Sequence, residues 1–396
     1  MKKKILNSFF VLKALTALVG PLFIIEIFEL TKSPIHVGLM SFCAALGTIT
    51  GSIYWGKYSR SRTFVYGFLS LFFLSFLFTK NIILIYLSAY YFYFFNISSY
   101  LALLNSPYFR KGTRQKLSKL EEKGGFAWLI GLILGLITKF AQTEYIVILV
   151  QTIGIATLLY SYKTLRKEFR REVGKGIILV ERVISYSPYF TYTLFLFTLK
   201  SFSLFNKSMI KLRKPKEMSF HLPFILFFIG TGIVLAQVIT FIKSAGFDNS
   251  VVYLSLLVAS SFSIIGYRIA RTLSSLTLIP QIMIIARAFI FPLFFFLTFL
   301  KGTPFLLLLI FLRAFQGFSW GILAIWFNSL VLKLRRSALG TNLALRNISA
   351  SLANAASGFL LELYTPSIFL LSLIFFVASA IKFKQLVGRK LAKSFL

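Results

Sequence analysis

One cysteine, Cys43, is all the thiol chemistry this chain of 396 residues has. That excludes an internal disulfide, a cysteine-based metal cluster and a thiol redox pair. A lone cysteine in an apolar run reads as a small buried side chain. Histidine is nearly as scarce: His36 and His221 are the only 2, and they lie far apart near the ends of apolar runs. With so few, and with scattered acids, neither a metal-ligand spacing nor a catalytic triad spacing forms. The chain is therefore expected to carry no metal, no cofactor and no catalytic residues. No G-x-x-x-x-G-K-[ST] run occurs, which argues against ATP-driven work by this chain alone. Acids are heavily outnumbered, with 11 Asp and Glu against 44 Lys and Arg, a net charge of +33. Charge of either sign is sparse as well, at 14% of residues. A soluble domain carries about 25%.

What fills the chain instead is apolar. Hydrophobic residues make up 57%, and the mean hydropathy is +0.81. The 47 Phe and 18 Tyr exceed what a soluble fold of this size can hide. The class these numbers select is a polytopic membrane protein with its charge confined to connections. The opening "MKKKILNSFFVLKALTALVGPLFIIEIFEL" has the basic head of a secretory signal. Its apolar run outlasts the usual roughly 7–15 residues and no A-x-A-like site follows, so an uncleaved first spanning helix is expected.

A spanning helix needs about 20 mostly apolar residues. Runs that qualify or nearly qualify fall at 5–28, 35–56, 63–79, 82–104, 125–141, 145–162, 218–242, 249–268, 276–299, 304–332, 340–361 and 366–382. This predicts an all-α protein of twelve transmembrane helices. Two connections are long, 105–124 and 163–217. Within the second, "YFTYTLFLFTL" (189–199) is about half the length of a span. It is expected to lie in the interface. If the N-terminus is cytoplasmic, the opposite side receives only Lys32, Lys80, Lys139, Lys243 and Lys301, while Lys13, Arg287, Arg313 and Arg346 lie inside runs. Every other Lys and Arg falls on the cytoplasmic side, as the positive-inside rule requires. Both termini are then cytoplasmic, in the plasma membrane. The positive charge is accounted for by topology and by attraction to anionic lipid head groups. No recognised nucleic-acid motif accompanies it, so no nucleic-acid partner is expected. A monomer is expected.

Polar residues inside the runs are the candidate site. In the tenth run Arg313, Gln316, Gly317, Trp320 and Phe327 share one helical face. A guanidinium well inside a bilayer costs at least about 2.5–3.5 kcal/mol unless paired or hydrated, so it should face a wet interior. The fourth run carries Tyr86, Tyr90, Tyr93 and Tyr100 on one face, and phenols offer a flat body with a polar tip. Gln237 and Thr240 are the most polar mid-run groups of the seventh. Lys13 and Arg346 sit nearer the cytoplasm and are expected to snorkel to it; Arg287 has no assigned role. Acids avoid the middle of the runs. Glu26 and Glu29 lie near the outer end of the first, and Glu121 and Glu122 at the inner mouth of the fifth. Glu26 is the one weak candidate for proton coupling. Gly340, Ala344, Asn347, Ser351, Asn354 and Gly358 form a stripe of small or short polar residues in the eleventh run. Such stripes let helices approach closely in lipid.

Two echoes hint at related halves: "LLNSPYFRK" beside "WFNSLVLKL", and "WGKYSRSR" beside "IGYRIART". Together with "LRAFQGFSWGILAIWFNSL", which matches R-x-x-x-G-x-x-x-G at Arg313, Gly317 and Gly321, they make the chain resemble the major facilitator superfamily of secondary transporters. The stretch "GSIYWGKYSRSR" takes the place of that family's loop between helices 2 and 3, commonly G-x-x-x-D-R-x-G-R-R. Gly51, Gly56, Lys57, Arg60 and Arg62 stand there, without the acid; Glu121 and Glu122 are the nearest acids able to replace it. The resemblance implies an N-terminal six-helix bundle (1–162), a central linker (163–217) and a C-terminal six-helix bundle (218–396). It implies alternating access, with a midplane site lined by helices 1, 4, 7 and 10. On those helices Tyr90, Tyr93, Gln237, Arg313, Gln316 and Trp320 are the expected substrate-binding residues. The expected function is secondary transport of a small organic solute, and the excess of buried cations favours an anion. Two other readings stand beside it. One is a non-transporting sensor or assembly protein on a transporter scaffold. The other is a membrane-embedded lipid-modifying enzyme using Glu121 and Glu122.

Overall fold

The computed structural model describes residues 3–58, 64–104, 113–137, 143–161, 215–272, 278–335 and 339–394. The expected interfacial segment 189–199 lies outside the described residues, as do Arg60 and Arg62. Helix accounts for nearly all of the described chain, and no strand occurs among the described residues. The elements are α1 (Lys3–Thr31), α2 (Pro34–Tyr58), α3 (Tyr66–Leu69, continuing as a 3₁₀ helix over Ser70–Thr79), α4 (Ile82–Leu104) and α5 (Thr113–Ile137). Next come α6 (Thr143–Ser161) and α7, which runs Pro215–Leu235 and resumes over Val238–Ser244. They are followed by α8 (Asn249–Thr272), α9 (Leu278–Ile290, continuing as a 3₁₀ helix over Phe291–Thr298), α10 (Gly302–Arg335), α11 (Leu339–Leu363) and α12 (Pro366–Ser394).

The turns between them follow from local chemistry. Ser33 precedes Pro34, and its hydroxyl accepts the Ile35 N–H at 3.2 Å, capping α2 with proline at the first helical position. Asn81 caps α4 by accepting the N–H groups of Ile83 and Leu84 at 3.0 and 3.2 Å. Asp248 caps α8 through Ser250 N–H at 3.1 Å.

Among the described residues, nine helical stretches are long and apolar enough to cross a membrane. The exceptions have physical reasons. The α3 segment Tyr66–Thr79 is short, but a 3₁₀ helix rises about 2.0 Å per residue against about 1.5 Å for an α-helix. Helices α5 and α11 carry charge or amide groups, and each packs one face on its neighbours while side chains such as Ile130 and Leu352 stay exposed: α5 packs on α1 and α8, α11 on α2 and α7. Contacts within 3–161 join α2 to α4, α1 to α5 and α3 to α4; contacts within 215–394 join α8 to α10, α7 to α11 and α12, and α9 to α12. The two sets meet along α2·α11 and α5·α8. Gly38 and Gly358 make the first of these seams a backbone contact. An added Cβ would stand 2.6 Å from Asn354 O and 2.7 Å from Pro34 O respectively.

Candidate solute site

Two cavities follow one another along this seam. Helix α1 lines the first with Phe9, Leu12, Lys13 and Thr16, and the second with Gly20, Pro21 and Ile24, so they are successive along its axis. The first lies at the end where α1, α5 and α11 begin, next in sequence to the Lys- and Arg-rich connections; this is the basic end. Its volume is about 410 Å³. The second, about 460 Å³, lies in the middle of the molecule and toward the other end. Trp128, Phe228 and Trp320 line both and form an aromatic partition between them.

The central cavity collects four of the expected residues, Tyr93, Arg313, Gln316 and Trp320. Arg313 is 5% exposed. It donates Nη1 to Gln316 Oε1 at 2.7 Å and Nε to the Ser255 carbonyl at 3.4 Å. Arg287, to which the sequence assigns no role, lines the same cavity and is fully buried. It donates Nε to Ser319 Oγ at 2.8 Å, Nη2 to the Gln316 carbonyl at 2.8 Å and Nη1 to Thr231 Oγ1 at 3.4 Å. Phe227 and Phe291 cover its guanidinium at 5.1 and 5.2 Å. Among the described residues no carboxylate lies within ion-pair distance of Arg287 or Arg313. The cavity is therefore lined by two buried cations without a counter-charge among the described residues.

Two expected lining residues lie outside both cavities. Gln237 is fully buried at the break in α7, where its N–H bonds to the Val234 carbonyl at 3.1 Å. Its side chain donates to Ser357 Oγ on α11 and accepts from Thr240, each at 2.9 Å. The break turns the side chain toward α11 instead of the cavity. Tyr90 pairs its hydroxyl with Thr50 Oγ1 at 2.9 Å, between α4 and α2. Glu26, the weak coupling candidate, accepts from Thr143 Oγ1 at 2.5 Å at the far end of α1 and lines neither cavity.

At the basic end, Lys13 and Arg346 do not snorkel. Lys13 lies 3.6 Å from Glu121 Oε2, and Tyr100 donates to Glu121 Oε1 at 2.6 Å. Arg346 is 4% exposed and donates Nη1 to Asn328 Oδ1 at 2.8 Å. All five side chains line the basic-end cavity. Sequence reasoning assigned none of them but Glu121 to a site; the visible signal was an intramembrane cation on α1 and another on α11. Glu122 points across the seam and forms ion pairs with Arg268, at 2.7 Å, and with Arg271. Gly51 sits against the α4 backbone at Phe94, and Gly56 and Lys57 lie in the last turns of α2.

No protein-family model and no curated protein sequence matches the chain. Solved structures do. The chain is similar to the nucleoside transporter NupG, crystallised as a point mutant, with TM-score 0.65, 16% identity and coverage of 96% of this chain and 98% of that one. It is also similar to tetrameric PepTSo2, with TM-score 0.65, 13% identity and coverage of 98% and 97%. The chain shares the fold of these two proteins over nearly its whole length.

Proposed function

We propose that the chain is a twelve-span secondary transporter that moves a small organic anion by alternating access. An N-terminal bundle (1–162) and a C-terminal bundle (218–396) rock about the central cavity, joined by the linker 163–217. Both termini are cytoplasmic, in the plasma membrane, and the working unit is a monomer. One observation carries the substrate class: Arg287 and Arg313 face the central cavity with no carboxylate in reach among the described residues. At about 460 Å³ the cavity falls in the usual small-molecule range of roughly 300–1,000 Å³. Arg313 is the substrate contact, because Arg287 is occupied on three sides. Gln316 holds Arg313 in place, while Tyr93 and Trp320 supply flat apolar walls. The shared fold with a nucleoside transporter supports transport, and the uncompensated charge favours an anion over a neutral solute. The lipid-modifying reading loses support, since Glu121 and Glu122 are both held in ion pairs.

Reconstitution into proteoliposomes tests this. Small carboxylates or phosphate esters are expected to enter, and neutral analogues are not. Arg313→Ala should lower anion uptake at least about tenfold, the equivalent of about 1.4 kcal/mol. Normal anion uptake by that variant would sink the role given to Arg313. A chain that moves no solute and shows no change of side accessibility would be a scaffold or sensor.

A further inference from the structure

The basic-end cavity lies next to the central one along α1, and it contains an unfinished binding group. Arg346 is clamped from several sides. Phe224, Phe327 and Phe228 cover its guanidinium at 4.7, 5.3 and 5.8 Å. Asn328 takes Nη1 at 2.8 Å. The remaining positions, Nε and Nη2, are buried and have no hydrogen-bond partner among the described residues. These two nitrogens share one edge of the guanidinium fork, the edge whose parallel N–H groups fit the two oxygens of a carboxylate or phosphate. Leaving a buried cation's donors unmade is costly, so the group is stabilised by whatever oxyanion reaches that edge.

The surrounding charge leads the same way. Lys13 and Glu121 face the same cavity but neutralise each other at 3.6 Å. That leaves Arg346 as the uncompensated charge of the pair of cations lining a space of about 410 Å³. Asn96, Asn328 and Asn347 line it too and add neutral hydrogen-bonding groups. The partition of Trp128, Phe228 and Trp320 separates this space from Arg313.

We propose that the basic-end cavity is a second, separate oxyanion site, with the anion seated side-on against Nε and Nη2 of Arg346. The occupant is a carboxylate or phosphate group. The buried edge is reached as the wall of the cavity relaxes, and Phe228, shared by both cavities, is the contact through which occupancy is felt at the central site. The proposal stands on Arg346 and does not require that the chain transport an anion.

Thermal unfolding of the purified full-length protein at constant ionic strength tests it, with inorganic phosphate and succinate as probes. Either anion should raise the unfolding midpoint in a saturable way. Arg346→Lys, which keeps the charge but loses the fork, should weaken the apparent affinity at least about tenfold. In Arg313→Gln, which removes the proposed central contact, a saturable response should persist, and adding Arg346→Lys should weaken that remaining response by the same factor. Asn328→Asp supplies an internal carboxylate beside Arg346; it should raise the midpoint without added anion and, in the Arg313→Gln background, abolish the response to phosphate. If added phosphatidylglycerol replaces the phosphate response in the parent, and its own effect is lost in Arg346→Lys, the occupant is a lipid phosphate; an unchanged phosphate response identifies a free solute. The proposal is overturned if neither anion shifts the parent, if no response remains in Arg313→Gln, or if adding Arg346→Lys to that variant leaves its titration unchanged. Normal transport by Arg313→Ala would end the transport assignment of Arg313 and leave this titration untouched.

Discussion

Arg287 and Arg313 line one cavity, but their partners separate a cation bonded through every nitrogen from one held less fully. Arg287 spends all three guanidinium nitrogens on Ser319, Gln316 and Thr231 and is covered by Phe227 and Phe291. It ties α9 to α10 and α7. Arg287→Lys would keep the charge and lose most of those bonds and the flat stacking. At about 1.5–3 kcal/mol for a hydrogen bond to a charged group, the expected cost is about 2–4 kcal/mol. Arg313 has one short bond and one long one, so Arg313→Lys should cost under about 1.5 kcal/mol of stability. Thermal unfolding of both variants checks this; equal losses would refute the division of roles. Arg313, Gln316 and Trp320 were legible from helical spacing along one run. Arg287 was not, because its acceptors come from α7 and α10, far away in sequence. Gln237 misled for a related reason: a polar residue in mid-run looks like lining until the break in α7 turns it onto Ser357.

Helix pairs in this molecule are set by how closely backbones approach. In lipid there is little hydrophobic drive between helices, and contact depends on small residues. At Gly317 an added Cβ would run into the Ala259 backbone of α8, and at Gly321 into the Ser263 backbone. The contact atoms are main chain, which cannot rotate away. Gly317→Leu should therefore cost about 3 kcal/mol or more, at the upper end for overpacking. Gly246 provides the contrast: it has φ +82° and, among the described residues, nothing within 4 Å of an added Cβ. Gly246→Ala should cost only the left-handed backbone penalty of about 1–2 kcal/mol. Unfolding midpoints of the two variants test the comparison, and a Gly246→Ala loss as large as that of Gly317→Leu would contradict it. The small-residue stripe of α11, which meets α2 at Gly358, was legible in the sequence; its partner helix and the α8–α10 pairing were not. The 3₁₀ stretches of α3 and α9 were not, since apolar runs of Phe and Leu carry no periodic signal that tells one helix type from the other.

At the scale of the whole molecule, the proposed alternating access requires a clasp at each end that the opposite state breaks. The described residues supply both. At the basic end Glu122 of α5 holds Arg268 and Arg271 of α8, and Ser118 Oγ donates to the Tyr267 carbonyl at 3.0 Å. At the other end Lys243 of α7 lies 3.2 Å from Glu29 of α1, and Ser33 Oγ donates to Glu362 Oε1 at 3.1 Å. Glu122 is thus an acid that ties α5 to α8 at the basic end. Partly exposed ion pairs contribute about 0.2–1 kcal/mol each, so losing the two at Glu122 shifts the balance of states by roughly twofold to thirtyfold. Glu122→Gln is expected to favour the state open at the basic end, and Lys243→Gln the state open at the other. With Cys43 replaced, a cysteine placed at Ala324, in the wall of the basic-end cavity, reports the first change by its rate of labelling with a membrane-impermeant reagent. That rate should rise in Glu122→Gln and fall in Lys243→Gln. High salt screens exposed pairs at both ends, so it should lower the rate in Glu122→Gln, where the Lys243–Glu29 pair remains, and raise it in Lys243→Gln, where the Glu122 pairs remain. Equal labelling of all three proteins would mean that the two ends are held by helix packing along α2·α11 and α5·α8, and that the ion pairs are passengers.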